Sequence, residues 1–380
     1  LSIIRKIFVS ASAQNDALTR QTLKDFPNII PEILEDRDDL SNRNDLPDSK
    51  QVLFLTRSKG DVVKDCPGTS KDYLCCQYRV INQTQNCPLN CTYCILRFYL
   101  NFPATLIFTN VEDILPEAAT KIQRYPKRLF RIGTGELGDS LALSGSRYFA
   151  ERAVKFFANM PNVLFELKSK TTYINSIMPL NHGGKTILSW SLNPQEIIRK
   201  EESAAANLSE RLSAAKRAQD AGFLIGFHLD PIINLPDGNR LYSELCEAIY
   251  DAVDPAGIAW ISLGSLRFPP SMKDAMIERY PKSALPYGDM IRGIDGKLRY
   301  VRPLRVSMYR PIYQSLISIP NPPFIYFCME SSIVWMETTG FTPENNSHLD
   351  YLFAESLHRR FPDRYPMKPE REEYNQECIF

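Results

Sequence analysis

The sequence predicts an α/β fold: a parallel sheet curled into a partial (β/α)6 barrel of the TIM type, with a small N-terminal α/β layer and a basic C-terminal extension. Three observations carry that expectation. From Cys87 to Ser262, short apolar runs alternate with amphipathic helical stretches, the pattern of βα units wound into one sheet. The 380 residues are 44% hydrophobic, enough to bury one large core or two smaller ones. Polar side chains recur just after the apolar runs, where a barrel of this type builds its site.

In chain order, Lys6–Ser10 reads as a strand and Leu18–Phe26 as an amphipathic helix. The charged stretch Asp36–Lys50 reads as a surface loop and Gln51–Thr56 as a second strand, completing a layer over residues 1–79. Six units are expected in a barrel over 80–265. Leu106–Phe108 precedes the helix Val111–Tyr125, and Leu129–Ile132 precedes a glycine-rich turn and the helix Ser146–Phe157. Val163–Lys168 precedes Tyr173–Met178, Thr186–Leu192 precedes Ser209–Asp220, Phe223–Leu229 precedes Arg240–Val253, and Ile258–Ser262 closes the series. The pattern breaks in 266–380, read as a substrate-binding region. Arg267–Arg310 is rich in Arg, Lys, Pro and Tyr. A short helix (Pro311–Ile317) and a strand (Phe324–Cys328) follow, and polar Asn345–Phe380 is expected to pack loosely.

The net charge of +1 excludes a polycation, so a nucleic-acid site must be a local basic patch. No apolar run approaches the ~20 residues that span a bilayer. The apolar start is interrupted by Arg5 and Lys6, which makes a poor signal-peptide core, and a cytoplasmic enzyme is expected. The nine cysteines are odd in number, and six of them lie between Cys66 and Cys94. That usage points to metal or redox chemistry rather than a disulfide framework.

The strongest chemical signal is Asn86-Cys87-Pro88-Leu89-Asn90-Cys91-Thr92-Tyr93-Cys94. A C-x3-C-x2-C loop offers thiolates to three irons of a [4Fe–4S] cubane and leaves the fourth open to an external ligand. The motif, with its aromatic at Tyr93, resembles that of the radical-SAM enzymes, where S-adenosyl-L-methionine (SAM) is that ligand. The competing reading is a structural zinc knuckle, its fourth ligand taken from Cys66, Cys75 or Cys76. Those three cysteines also read as buried thiols or as a second metal site. One unit further on, Arg131-Ile132-Gly133-Thr134-Gly135-Glu136 follows a strand and opens toward a helix. Glu136 and Asp139 in that turn are candidate SAM contacts. So are Lys170, Ser191, Asn193 and Asp230, with His228 beside them, all at strand ends.

From about Val80 to Leu285 the sequence resembles the spore photoproduct lyases and their lyase-like relatives. The carriers are Cys87–Cys94; Asn110-Val111-Glu112-Asp113-Ile114-Leu115; Lys170; and Gly184-Lys185-Thr186 leading to Ser191-Leu192-Asn193. Arg211-Leu212-Ser213-Ala214-Ala215, Ala221-Gly222-Phe223, Gly226-Phe227, Arg267-Phe268 and Arg279-Tyr280-Pro281-Lys282 continue it. The resemblance implies a radical-SAM lyase that repairs a UV-induced thymine photoproduct in DNA by breaking the crosslinking C–C bond. It implies a [4Fe–4S] cluster and SAM as cofactors, photodamaged DNA as partner, and an external reductant such as flavodoxin or ferredoxin. Two departures stand out. The loop Gly133–Ser140 holds no thiol, with Glu136 about where the family's hydrogen-donating cysteine stands, and Ile95 replaces a tyrosine after the third cluster cysteine. Tyr93, Tyr99 and Cys328 are therefore the candidates for radical transfer.

The DNA contacts are expected at Arg267 and in the basic, aromatic stretch Arg292–Arg310, through Arg292, Lys297, Arg299, Tyr300, Arg302 and Arg305. A solvated basic hairpin is the competing reading of that stretch. A radical-SAM enzyme of the same fold acting on another lesion, a peptide or a small molecule is the alternative function, and a zinc-stabilised nucleic-acid-binding module a third.

Overall fold

The computed structural model describes residues 4–43, 45–68, 73–100, 102–376 and 378. Two sheets organise it. The first runs in the order Glu32–Leu34, Lys6–Ser10, Val52–Thr56, Thr105–Phe108, Thr84–Gln85 and is parallel except for the last pairing. The second curls into a partial barrel. Its order is Phe324–Phe327, Ile258–Ser265, Leu224–Ile232, Thr186–Ser191, Val163–Ser169, Phe130–Gly133, Arg79–Ile81, Val63–Asp65. Every pairing in it is parallel until the antiparallel edge strand Val63–Asp65. The central strands are buried on both faces, with apolar side chains toward the helices and several polar ones on the inward face. Among the described residues no helix is long and apolar enough to cross a membrane.

Three expectations about the barrel need correction. Leu106–Phe108 is a strand of the first sheet, in register with Val52–Thr56, and not the first barrel strand. That place belongs to Arg79–Ile81, whose three residues are too few to show a period. Tyr173–Met178 is a run of turns, with Ile174 and Ile177 tucked into the core. Phe324–Phe327 pairs with Ile258–Ser265 as a seventh parallel strand, so the barrel sheet crosses the boundary at 265.

The C-terminal residues are also well packed. The helix Asn346–Arg360 buries Leu349, Phe353 and Leu357, a four-residue spacing diluted in the sequence by the charges between them. The Arg131 guanidinium lies 3.4 Å from the Phe353 ring centroid, and Asp350 pairs with Arg128 at 2.8 Å. The basic stretch after Arg267 is ordered too. It holds a helix (Pro270–Arg279), a three-stranded sheet (Arg267–Phe268, Leu298–Tyr300, Met290–Arg292) and the first half of the helix Arg302–Ile317. That helix starts at Arg302, with Pro303 in its first turn, where a missing N–H costs nothing.

Candidate active site

The cysteine loop leaves the Arg79–Ile81 strand by way of Thr84–Gln85 and turns at Asn86, whose φ of 74° is tolerated because its Oδ1 accepts the Cys87 N–H at 2.9 Å. Lys50 is buried beneath the loop. Its Nζ donates to the carbonyls of Cys87, at 2.9 Å, and Leu89, and stands 3.9 Å from the Cys94 Sγ. On the other side, Asn90–Cys91 pairs antiparallel with Glu202–Ser203. Gly138 is pressed against this loop: a Cβ there would sit 3.0 Å from the Asn86 carbonyl oxygen.

Glu202 is the hub on that side, with its side chain wholly buried. It pairs with Arg211 at 2.6 Å and Lys170 at 3.3 Å, and accepts from Tyr93 and, at 3.2 Å, from Asn193. Arg211 also donates to the carbonyls of Ala206 and Ser191, both at 2.8 Å. Burial works to raise the Glu202 carboxyl, but Lys170, Arg211 and the Tyr93 hydroxyl hold it at about 2. Burial likewise opposes ionisation of Glu166, and His228 (2.8 Å away), Lys168 and Ser189 bring it to about 2. Both values lie below the ordinary 4.5, so each group contributes stability that is complete above 4.5 and lost as the pH falls toward 2. Each contributes roughly 3 kcal/mol at full ionisation. Thermal unfolding followed by circular dichroism is expected to show a melting temperature that drops steeply below pH 4.5, and Glu202→Gln to flatten that acid limb.

A cavity of about 570 Å³ opens at the C-terminal ends of the barrel strands. Cys87, Cys91 and Cys94 line it, as do Tyr93 and Tyr99, Glu136 and Asp139, Lys170, Ser191, Asp230, Arg267, Lys297 and Cys328. Burial pushes the Cys91 thiol up to about 12 and the Cys87 thiol higher still. These sites therefore favour thiolate only when a metal compensates the charge. Among the described residues no three His, Cys, Asp or Glu side chains converge on one point as a single ion requires. A cubane instead takes one thiolate per iron, and three cysteines spread along one loop over one cavity fit it.

Most other predicted contacts share the cavity, with altered roles. Asp139 organises its loop: Oδ1 accepts from the N–H groups of Leu141 and Ala142, both at 2.9 Å, and from Ser169, and Oδ2 from the Lys170 N–H at 2.8 Å. Asp230 pairs with Arg267 at 3.2 Å. Burial opposes its ionisation, but Arg267 holds its carboxyl below the ordinary range. Asn193 does not reach the cavity. It is fully buried between Glu202 and Tyr242, whose hydroxyl donates to it at 2.9 Å.

The expected DNA contacts divide sharply. Arg299, Tyr300 and Arg305 are buried and cannot meet phosphates. Arg299 pairs with Asp295 at 2.7 Å, Arg305 with Glu330 at 2.9 Å, and the Tyr300 hydroxyl accepts the Asn234 N–H at 3.2 Å. Arg292 remains on the surface of a hairpin beside exposed Ile291 and Ile294, and Arg302 on the surface at a helix start, 3.8 Å from Glu337.

Sequence reasoning missed Lys50, Glu166, Lys168 and Glu202. Lys168 pairs with Glu136 and lines the cavity. A signal for two of them existed: Glu166 and Lys168 are spaced by two in a buried strand, as are Ser189 and Ser191, and His228 and Asp230. This is the polar, inward face of the barrel. Lys50 and Glu202 carry no local signal, because their partners lie far off in sequence.

Comparison with known proteins places these features. The family model described as spore photoproduct lyase matches residues 69–303. The curated spore photoproduct lyase of Bacillus subtilis (strain 168) is 25% identical over 203 residues, 52% of this chain and 59% of that protein. That of Clostridium acetobutylicum is 22% identical over 207 residues, 54% of this chain and 61% of that protein. The matched region thus spans about three fifths of these relatives' length. Among solved structures, a tyrosine-to-phenylalanine variant of spore photoproduct lyase superposes with a TM-score of 0.75 at 18% identity, over 86% of this chain and 99% of that one. A double variant of the enzyme with bound AdoMet and dinucleoside spore photoproduct gives 0.72 at 19%, with the same coverage. At these identities the structures establish a common fold.

Proposed function

The chain belongs to the spore photoproduct lyase family, and from that membership we propose that it is a radical-SAM lyase acting on a UV-induced thymine photoproduct in DNA. The observation that carries the proposal is the single cavity shared by the cysteine triplet and the charged strand ends. When bound, the cluster and SAM would supply the one-electron chemistry that removes a hydrogen atom from the lesion and so opens the crosslinking C–C bond.

The protein's share is placement. Cys87, Cys91 and Cys94 would each hold one iron, on a loop pinned from below by Lys50 and from the side by the Glu202 network. Glu136 would meet the amino group of SAM and Lys170 its carboxylate, each held by an opposite charge, Lys168 and Glu202 respectively. Ser191 and Asp230 complete the wall. Tyr93 and Tyr99 line the cavity beside the triplet, within the space where radical transfer would run. The lesion must leave the helical stack to enter, which costs least at a damaged base. Lys297 on the hairpin lines the cavity, and Arg292 and Arg302 stand outside it to meet phosphates.

The test is incubation of the reconstituted protein, a low-potential reductant and SAM with dinucleoside spore photoproduct. Thymidine is the expected product. Formation of 5′-deoxyadenosine with the lesion unchanged would favour the second reading, another substrate on the same fold, for which the thiol-free loop Gly133–Ser140 speaks. Replacing Arg292 and Arg302 together by Glu is expected to weaken duplex binding and lower its salt slope by roughly one unit per lost phosphate contact, leaving SAM cleavage intact. Filter binding across a salt series checks this.

A further inference from the structure

Three cysteines are assigned to the cluster, and four more line the same cavity: Cys66, Cys75, Cys76 and Cys328. A cysteine used only for packing sits among apolar side chains, as Cys246 does on the buried face of its helix. Cys328 sits instead beside an ion pair. Its Sγ is 3.3 Å from the Arg267 Nη2, and Arg267 is paired with Asp230 on the cavity wall. The chain turns there: Cys328 directly follows the seventh barrel strand, its N–H donates to the Leu263 carbonyl at 2.7 Å, and Met329 takes a positive φ of 55°.

The segment carrying Cys76 runs antiparallel to this turn. The Leu74 N–H donates to the Glu330 carbonyl at 2.9 Å, an antiparallel bridge, and Cys76, two residues after Leu74, stands opposite Cys328, two residues before Glu330. The two sulfurs are near enough that a charge on Cys76 opposes one on Cys328, and Cys66 feels both.

We infer that Cys328, with Cys76 opposite it, is a thiol pair that delivers a hydrogen atom to the substrate radical. The inference rests on the radical chemistry proposed above. Once the crosslink breaks, a carbon radical remains and must be quenched, and the thiol is the side chain with the weakest bond to hydrogen. The S–H bond of Cys328 breaks homolytically and a C–H bond forms on the product. Cys76 can refill Cys328 by passing its own hydrogen atom across. The sulfur radical left behind returns to a thiol by taking one electron from the low-potential reductant the reaction already requires and one proton from solvent. Only the protonated form carries a hydrogen atom. Burial keeps Cys328 in that form, and a hydrogen bond with Cys75 together with burial does so for Cys76.

Two measurements test this. In the protein without cluster or SAM, mild oxidation with a small-molecule disulfide is expected to link Cys76 to Cys328, seen as a crosslinked peptide by mass spectrometry. In the reconstituted protein, reaction with dinucleoside spore photoproduct in D2O is expected to place deuterium from the exchangeable thiol in the thymidine product. Cys328→Ala and Cys328→Ser are each expected to keep 5′-deoxyadenosine formation while product deuteration falls to background and adducts accumulate. Cys76→Ala is expected to lower deuteration partially. Parent protein that makes no 5′-deoxyadenosine would overturn the radical-SAM reading itself. Unchanged deuteration and product yield in Cys328→Ala, with 5′-deoxyadenosine still formed, would overturn the thiol-pair inference alone.

Discussion

Replacing Cys87, Cys91 or Cys94 by Ala is expected to abolish reductive cleavage of SAM. Each variant removes one of the three thiolates available to the cluster, and a cubane held at two corners is lost or rearranged. None of the remaining cavity thiols is set to substitute. Cys75, Cys76 and Cys328 lie within two residues of the Leu74–Glu330 bridge and Cys66 bonds the Tyr78 carbonyl, so none belongs to the triplet loop. The loop itself is expected to survive, because its carbonyl contacts with Lys50 and its pairing with Glu202–Ser203 involve backbone rather than the thiols. The expected outcome is therefore a folded protein, with a circular dichroism spectrum like the parent's, that forms no 5′-deoxyadenosine. Chromatography of the quenched reaction gives the answer.

Replacing Arg211 by Met is expected to cost about 3–5 kcal/mol of stability, the usual effect of leaving one partner of a buried ion pair uncompensated. Arg211 and Glu202 both have wholly buried side chains and meet at 2.6 Å. The substitution also orphans the carbonyls of Ala206 and Ser191, which a methionine cannot serve. Lys170 would remain as the only full charge opposing Glu202, drawn away from the cavity. Arg211→Lys is expected to recover only part of the loss, since an ammonium cannot reach three acceptors as a planar guanidinium does. Arg211→Met with Glu202→Gln is expected to be less damaged than Arg211→Met alone, because the stranded charge is gone. Chemical denaturation of the parent, Arg211→Met, Glu202→Gln and the double variant measures the coupling.

The fold and the chemistry were legible to different depths. The barrel strands from Phe130 to Ser265 announced themselves because each is a buried apolar run, read by length and periodicity alone. The first barrel strand, Arg79–Ile81, was hidden by its brevity, and Leu106–Phe108 took its place in the reading because both sheets use the same kind of strand. The cysteine triplet was legible because its ligands are local in sequence. The Glu202 hub was not, since it joins Tyr93, Lys170, Asn193 and Arg211 through contacts made only on folding. The basic segment misled in the opposite way. Charge density alone marked Arg299 and Arg305 as surface residues, whereas each is buried against its own carboxylate, Asp295 and Glu330. Composition reports how many charges a segment has, but not which of them already have partners.

The central claim is that the loop Cys87–Cys94 carries a cluster with one iron open to SAM. Electron paramagnetic resonance of the reconstituted, reduced chain with and without SAM tests it most directly. The account predicts the signal of a reduced [4Fe–4S] cluster whose g values shift when SAM is added, and no such signal when Cys87, Cys91 and Cys94 are all replaced by Ala. A signal indifferent to SAM, or one that survives the triple replacement, would contradict it.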